Sequence, residues 1–280
     1  MLIHLLDRVR HWLRFYAYSF RVLGPRVIAR NLVGLLSDPA VRQVNSGFDA
    51  RWGTDTNAEL TPGEAQIPAS RRGAATAYLP TLDEDLVAML DGLAWTETQL
   101  GQATFLDIGS GKARVVMLAA MRSFREVVGV ELSPVLHEVA ERNVTRVRAA
   151  GALVSPVRLV RADATELEVP RGPLVIYLYH PFPDPIAERV LARVRAAVEA
   201  SPRPVAILYG HPTLQQCIDP GVFARGGIFH RVRDGERRTR HFAIGWSIWT
   251  NQDWLEAPRR ELAAATGELV FGLENAAVSG

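Results

Sequence analysis

Several apolar runs in this sequence end on side chains that can do chemistry. ATFLDIG runs into Asp107-Ile108-Gly109-Ser110-Gly111, EVVGVEL ends at Glu131, and VRLVRAD ends at Asp163. Glycines at 109 and 111 let the backbone turn tightly and approach a ligand. A dinucleotide fingerprint would need a glycine at 114, where Arg114 stands, and no segment matches the phosphate-cradling G-x-x-x-x-G-K-[ST]. An acid ahead of the glycines repels a pyrophosphate and welcomes a cationic or amine-bearing ligand. Glu131 follows Asp107 by twenty-four residues, where a carboxylate can accept both hydroxyls of a ribose. Asp163 can accept from an adenine amino group. The three carboxylates together imply a ligand with an adenosine and a positively charged part.

The fourth run, LVIYLY, goes straight into His180-Pro181-Phe182-Pro183. Pro181 and Pro183 lack an N–H, so a strand ends there. A histidine ring nitrogen accepts a hydrogen bond or takes a proton near neutral pH. The fifth run, PVAILYG, stops before His211-Pro212. Two neighbouring strands ending in histidine place His180 and His211 either as a pair near a substrate or as caps on the turns that follow. A metal centre needs a third ligand, which the sequence does not offer, and the single cysteine, Cys217, makes neither a disulfide nor a thiolate zinc site.

The elements that must position these residues follow from periodicity. From residue 81 to about 250, strands alternate with helices: ARVVMLAAMR, a long helix opened by Ser133-Pro134, and another opened by Asp184-Pro185. Such alternation predicts βαβ units and a mostly parallel sheet. GIFHRVRDGERRTRHFAIGWSIW reads as two strands about a turn at Asp234-Gly235, a terminal antiparallel hairpin. Thr81 and Glu84 read as a capping box for a helix through Leu93. Residues 1–43 carry apolar side chains at helical spacing together with Arg8, Arg10, Arg14, Arg21, Arg26, Arg30 and Arg42, a basic amphipathic extension. Residues 44–80 read as a pre-domain loop, 81–250 as the core and 251–280 as a tail with one helix over 252–265.

FLDIGSGKARVVMLAA, VVGVELS and RADAT resemble the S-adenosylmethionine site of class I methyltransferases. The resemblance covers about residues 80–250 and implies an α/β, Rossmann-like seven-strand sheet with a terminal antiparallel hairpin. It places Asp107, Gly109 and Gly111 along the methionine part of the cofactor, Glu131 at the ribose, and Asp163 with Ala164 at the adenine; Ser110 and Leu132 join them as cofactor contacts. Many members carry a third glycine where Ala113 stands. FDARWGTDT and YLPT are similar to the pre-domain of a bacterial branch. The tyrosine-x-proline-threonine piece is also similar to the seven-strand lysine methyltransferases of histones and mitochondria. That similarity makes Tyr78 and Thr81 candidate cofactor contacts, with Thr54, Asp55 and Thr56 as weaker ones. Amino-group methyltransferases often end the fourth strand in Asn/Asp-Pro-Pro-Tyr/Phe. Here His180, Pro181 and Phe182 take that place as the acceptor-side, catalytic residues.

The implied function is methyl transfer from S-adenosylmethionine to an amine on a protein or small molecule. The alternative is a non-catalytic cofactor-binding protein whose N-terminal helices meet a membrane surface or a partner. A net charge of +2 is too mild to argue nucleic acid. The arginine-rich hairpin reads either as a solvated turn or as a basic edge for an acidic substrate or nucleic acid, with single-strand binding disfavoured because its turn lacks interleaved aromatics. Nucleic acid is not the expected acceptor. No apolar run reaches membrane-spanning length, and the N-terminal charges do not follow a secretion signal. A cytoplasmic protein, with peripheral membrane contact as a second use of those helices, is the expectation.

Overall fold

The computed structural model describes residues 46–57, 60–72, 75–212, 218–238 and 243–252. The N-terminal basic helices and the 252–265 helix expected from the sequence fall outside them, apart from Gln252. Helices α1 (Ser46–Trp52), α2 (Ala69–Arg72), α3 (Asp83–Gly92) and α4 (Glu97–Gln102) precede strand β1 (Thr104–Ile108). There follow α5 (Arg114–Ala120), β2 (Glu126–Glu131), α6 (Pro134–Ala149), β3 (Val157–Arg161), a 3-10 turn (Ala164–Glu166) and β4 (Leu174–Tyr179). Helix α7 (Asp184–Ala200), β5 (Val205–Pro212), α8 (Pro220–Ala224), β6 (His230–Arg238) and β7 (Ala243–Thr250) complete the order.

The strands form one sheet in the order β3-β2-β1-β4-β5-β7-β6. Pairings from β3 through β5 are parallel; β7 is antiparallel to both β5 and β6. Side chains alternate across the sheet. Phe105, Val127, Val175, Tyr177 and Leu208 meet one core with α3, α5 and α6, while Leu106, Val128, Ile176, Ile207 and Tyr209 meet a second core with α7 and α8. Chain order reverses between β1 and β4, the crevice where open α/β sheets bind ligands outside their carboxyl ends.

Four local expectations are corrected. Asp234-Gly235 is not a turn but lies inside β6, opposite Ser247 and Trp246. A Cβ on Gly235 would stand 2.2 Å from the Trp246 indole, so the glycine is there for close packing. The Thr81/Glu84 capping box does not form. Leu82 is the N-cap of α3 without a side-chain bond, and the Thr81 hydroxyl instead meets the buried Tyr177 hydroxyl at 2.7 Å. A complete capping box stands at Thr96 and Gln99 of α4. Residues 44–80 carry two helices, α1 and α2, rather than loop throughout. Strand β5 also continues past Gly210 through His211-Pro212, because β7 pairs with both.

The Ser133 cap is present: its hydroxyl accepts from the Leu136 N–H and donates to the Ala65 carbonyl. That second bond ties the 60–81 segment to α6. Ala65 and Ile67 there pack with Leu136 in a small cluster of their own, joined by Leu60, Ala75, Tyr78 and Leu132.

Candidate active site

A cleft opens outside the carboxyl ends of β1 to β4. Its walls include the principal predicted site residues, Tyr78, Thr81, Asp107, Gly109, Ser110, Gly111, Glu131, Leu132, Asp163, Ala164, His180, Pro181 and Phe182, but not the weaker candidates Thr54, Asp55 and Thr56. The turn after β1 supplies the floor. Gly109 and Gly111 have φ of +84° and +54°, a region that favours glycine. Ala113 also has a positive φ, +67°, as the N-cap of α5. The missing third glycine is thus tolerated at the cost of a left-handed alanine, about 1–2 kcal/mol. Ser110 Oγ is buried without a hydrogen-bond partner among the described residues.

The carboxylates divide by environment. Asp107 and Glu131 are both buried. Burial, and then the charge of Glu131, push the Asp107 carboxyl well above its ordinary value. Burial also raises Glu131, opposed by the N–H groups of Ser133, Gly111 and Leu132. Two of these bonds are short: Ser133 N to Oε1 at 2.7 Å and Gly111 N to Oε2 at 2.8 Å. Burial pushes Asp163 upward too, yet its carboxyl stays below the ordinary value. The N–H and hydroxyl of Thr165 and the charges of Arg71 and Arg189 hold it there. Arg71 on α2 lies 2.7 Å from Asp163 Oδ2 and lines the cleft.

The segment before the sheet closes over the glycine turn. A Cβ on Gly111 would stand 2.3 Å from the Tyr78 ring, so ring and backbone are in direct contact. The Tyr78 hydroxyl donates to the Thr56 carbonyl at 2.7 Å. Lys112, the one lysine of the chain, is buried and meets Asp55 at 2.8 Å, with its ammonium 5.6 Å from the Tyr78 ring centre. Asn143 on α6 accepts from the Asp55 N–H. Arg114 donates to Asp83 and to the Thr56 hydroxyl, both at 2.9 Å, and its guanidinium lies over Phe48. The arginine that spoils a dinucleotide fingerprint is therefore an anchor for this strap. Thr54 and Thr56 bond to Asp49 rather than lining the cleft.

At the end of β4, where the acceptor side is expected, His180 is buried with φ +32°. Its Nδ1 lies 2.8 Å from the Tyr179 carbonyl. A carbonyl only accepts, so Nδ1 carries the proton and the lone pair of the neutral ring is on Nε2. Pro181 lies on Gly109, where a Cβ would come within 2.8 Å of Pro181 Cβ. Phe182 lines the cleft while packing into the second core. His211 does not line the cleft: its ring packs on Tyr209 and Gly245, so the expected histidine pair is not brought together there. Among the described residues no cluster of three metal-ligating side chains is present. Arg71, Thr76, Tyr177 and Tyr179 are cleft residues that sequence reasoning missed. Arg71 and Thr76 sit in no motif; the two tyrosines were visible only as members of an apolar strand.

Residues 105–201, from β1 to just past α7, match a family model described as a methyltransferase domain. That stretch thus carries a methyltransferase domain, set on a Rossmann-like sheet. Among solved structures, magnesium protoporphyrin IX methyltransferase from Synechocystis PCC 6803 with bound S-adenosylhomocysteine is similar at 15% identity and a TM-score of 0.48, covering 75% of this chain and 97% of that one. A SAM-dependent methyltransferase from Leishmania major is similar at 13% identity and a TM-score of 0.45, covering 60% and 71%. A ribosomal protein L11 methylase from Lactobacillus delbrueckii subsp. bulgaricus follows at 13% and 0.41, covering 59% and 76%. No curated protein matches the chain by sequence.

The cleft fits S-adenosylmethionine. Two buried carboxylates raised by burial call for a cation and for hydroxyl donors, and Ser110 Oγ is an orphaned polar atom among the described residues. When bound, that cofactor supplies an electrophilic methyl on a sulfonium.

Proposed function

We propose that this chain moves the methyl of S-adenosylmethionine to an amine on a protein or small molecule. Asp107, Gly109, Ser110 and Gly111 receive the methionine part, Glu131 and Leu132 the ribose, and Asp163 and Ala164 the adenine, with Tyr78 and Thr81 closing the cleft. The acceptor enters beside His180, Pro181 and Phe182. The observation that carries this reading is that all of these residues, drawn from four strand ends and the preceding segment, line a single cleft.

In-line displacement requires the nucleophile near the methyl and water kept away. An amine must also arrive deprotonated. His180 suits the second task, since its Nδ1–H is committed to the Tyr179 carbonyl and its acceptor lone pair is on Nε2. The apolar and aromatic wall of Leu79, Pro80, Tyr177, Tyr179 and Phe182 suits the first.

Calorimetry with S-adenosylmethionine and transfer of its labelled methyl into fractionated cell lysate test the reading. Micromolar binding and label in a protein or small-molecule fraction are expected. No heat at high protein concentration overturns cofactor use, and label confined to RNA or lipid overturns the acceptor class.

A further inference from the structure

Thr76 lies on the strap between α2 and α3, and its hydroxyl reaches to the acceptor-side strand end. Thr76 Oγ1 is 3.1 Å from the His180 carbonyl oxygen and 3.2 Å from that of Pro181. A hydroxyl has one proton, so the two carbonyls share it. Between those carbonyls and β4 stands His180, whose positive φ is an uncommon conformation for a non-glycine residue. Such a backbone persists only where its surroundings over-determine it.

Contacts from other described atoms also meet at that residue. Its N–H donates to the Gly210 carbonyl at 3.2 Å, its Nδ1–H to Tyr179, and its ring stands edge-on to Tyr179 at 4.9 Å between centroids. The Thr76 bond holds the carbonyl side, where the chain turns to lay Pro181 on Gly109. That turn sets the direction of the imidazole.

We propose that Thr76 is a positioning residue for methyl transfer: by donating to the His180 and Pro181 carbonyls it fixes the orientation and tautomer of the His180 ring. This rests on the methyl-transfer reading. Thr76 acts through His180. The cofactor-side acids stand on other strand ends with other partners, so Thr76 sets the acceptor side without setting cofactor affinity.

The test uses full-length Thr76→Val and Thr76→Ser, with Thr76→Ala standing in should valine prevent folding. Long-range proton–nitrogen NMR on histidine-labelled protein reads the tautomer, with His180→Gln assigning the signal. The wild type is expected to show an Nδ1-protonated His180. Thr76→Val is expected to lose that fixed pattern and to bind S-adenosylhomocysteine within about threefold of wild type. Labelled-methyl transfer into lysate is expected to fall by about 10- to 100-fold. Thr76→Ser, which keeps the hydroxyl, restores both signals. A valine variant that retains the Nδ1-protonated pattern overturns the proposal, as does one whose only change is a lower Tm. Wild-type protein that binds no S-adenosylhomocysteine overturns the methyl-transfer reading instead, and the tautomer comparison still decides the role of Thr76.

Discussion

Asp107 and Glu131 stand at the ends of adjacent strands, both out of water, and neither has an ion-pair partner among the described residues. A carboxyl raised above its unfolded value contributes stability that is fully present below the ordinary carboxylate pKa. That stability is lost as pH rises through the folded value. Asp107 therefore weighs against the ligand-free fold at neutral pH, facing Glu131 with the buried hydroxyls of Tyr177 and Tyr78 nearby. A cationic ligand reverses the balance, because it favours the ionised acid. Asp107→Asn is expected to raise the ligand-free Tm at pH 7 while abolishing the shift caused by S-adenosylmethionine. Thermal scans with and without cofactor at pH 5 and pH 8 measure both. Binding by wild type is expected to strengthen from the lower pH to the higher. Glu131→Ala removes the acceptor of two backbone N–H bonds as well as the expected ribose partner. Bonds to a charged group are worth about 1.5–3 kcal/mol each, so affinity should fall by at least about tenfold in calorimetry.

At the scale of elements, the strap and the glycine turn are built against each other. A methyl at Gly111 would enter the Tyr78 ring, and the φ of +54° strains any side chain there. Gly111→Ala is expected to lower stability by about 1–3 kcal/mol and to weaken cofactor binding with it. Tyr78→Ala removes the ring and should make Gly111→Ala less costly, a coupling that a double-mutant cycle on urea midpoints measures. Gly235→Ala, under the Trp246 indole, supplies the control: a similar loss of stability far from the cleft, with cofactor affinity unchanged in the folded protein. Strands and their acidic or glycine ends were legible in the sequence because each is a local pattern. The strap was not, since Arg114 finds Thr56 and Asp83, and Thr76 finds His180, across long stretches of chain that leave no period. Asp234-Gly235 misled for a related reason. Its composition suits a hairpin turn, but packing beneath a tryptophan of the neighbouring strand also demands glycine.

For the whole molecule, the cleft joins two separately packed parts. The sheet with its flanking helices holds the two large cores, to which the segment before it adds Phe48 and Trp52 on α1, while residues 60–78 bring the small cluster around Ala65, Ile67 and Leu136. Polar anchors make up the difference: Arg71 to Asp163 at 2.7 Å, Lys112 to Asp55 at 2.8 Å and Arg114 to the Thr56 hydroxyl at 2.9 Å. Such a segment draws little of its stability from buried apolar area, so it belongs to the less stable end of the fold and opens before the sheet does. A ligand touching both parts stabilises the folded chain by about 2.7 kcal/mol at a hundredfold excess over Kd. For a chain of this size that corresponds to a Tm rise of about 4–5 °C. Hydrogen exchange distinguishes where the effect falls. With S-adenosylhomocysteine, amides of residues 60–81 are expected to slow by more than those of β1 and β4, which are already protected by burial. Arg71→Ala should speed exchange in the strap of the free protein and leave β4 unchanged. Equal slowing across strap and strands would mean that the two parts open together, and that the anchors hold no boundary between them.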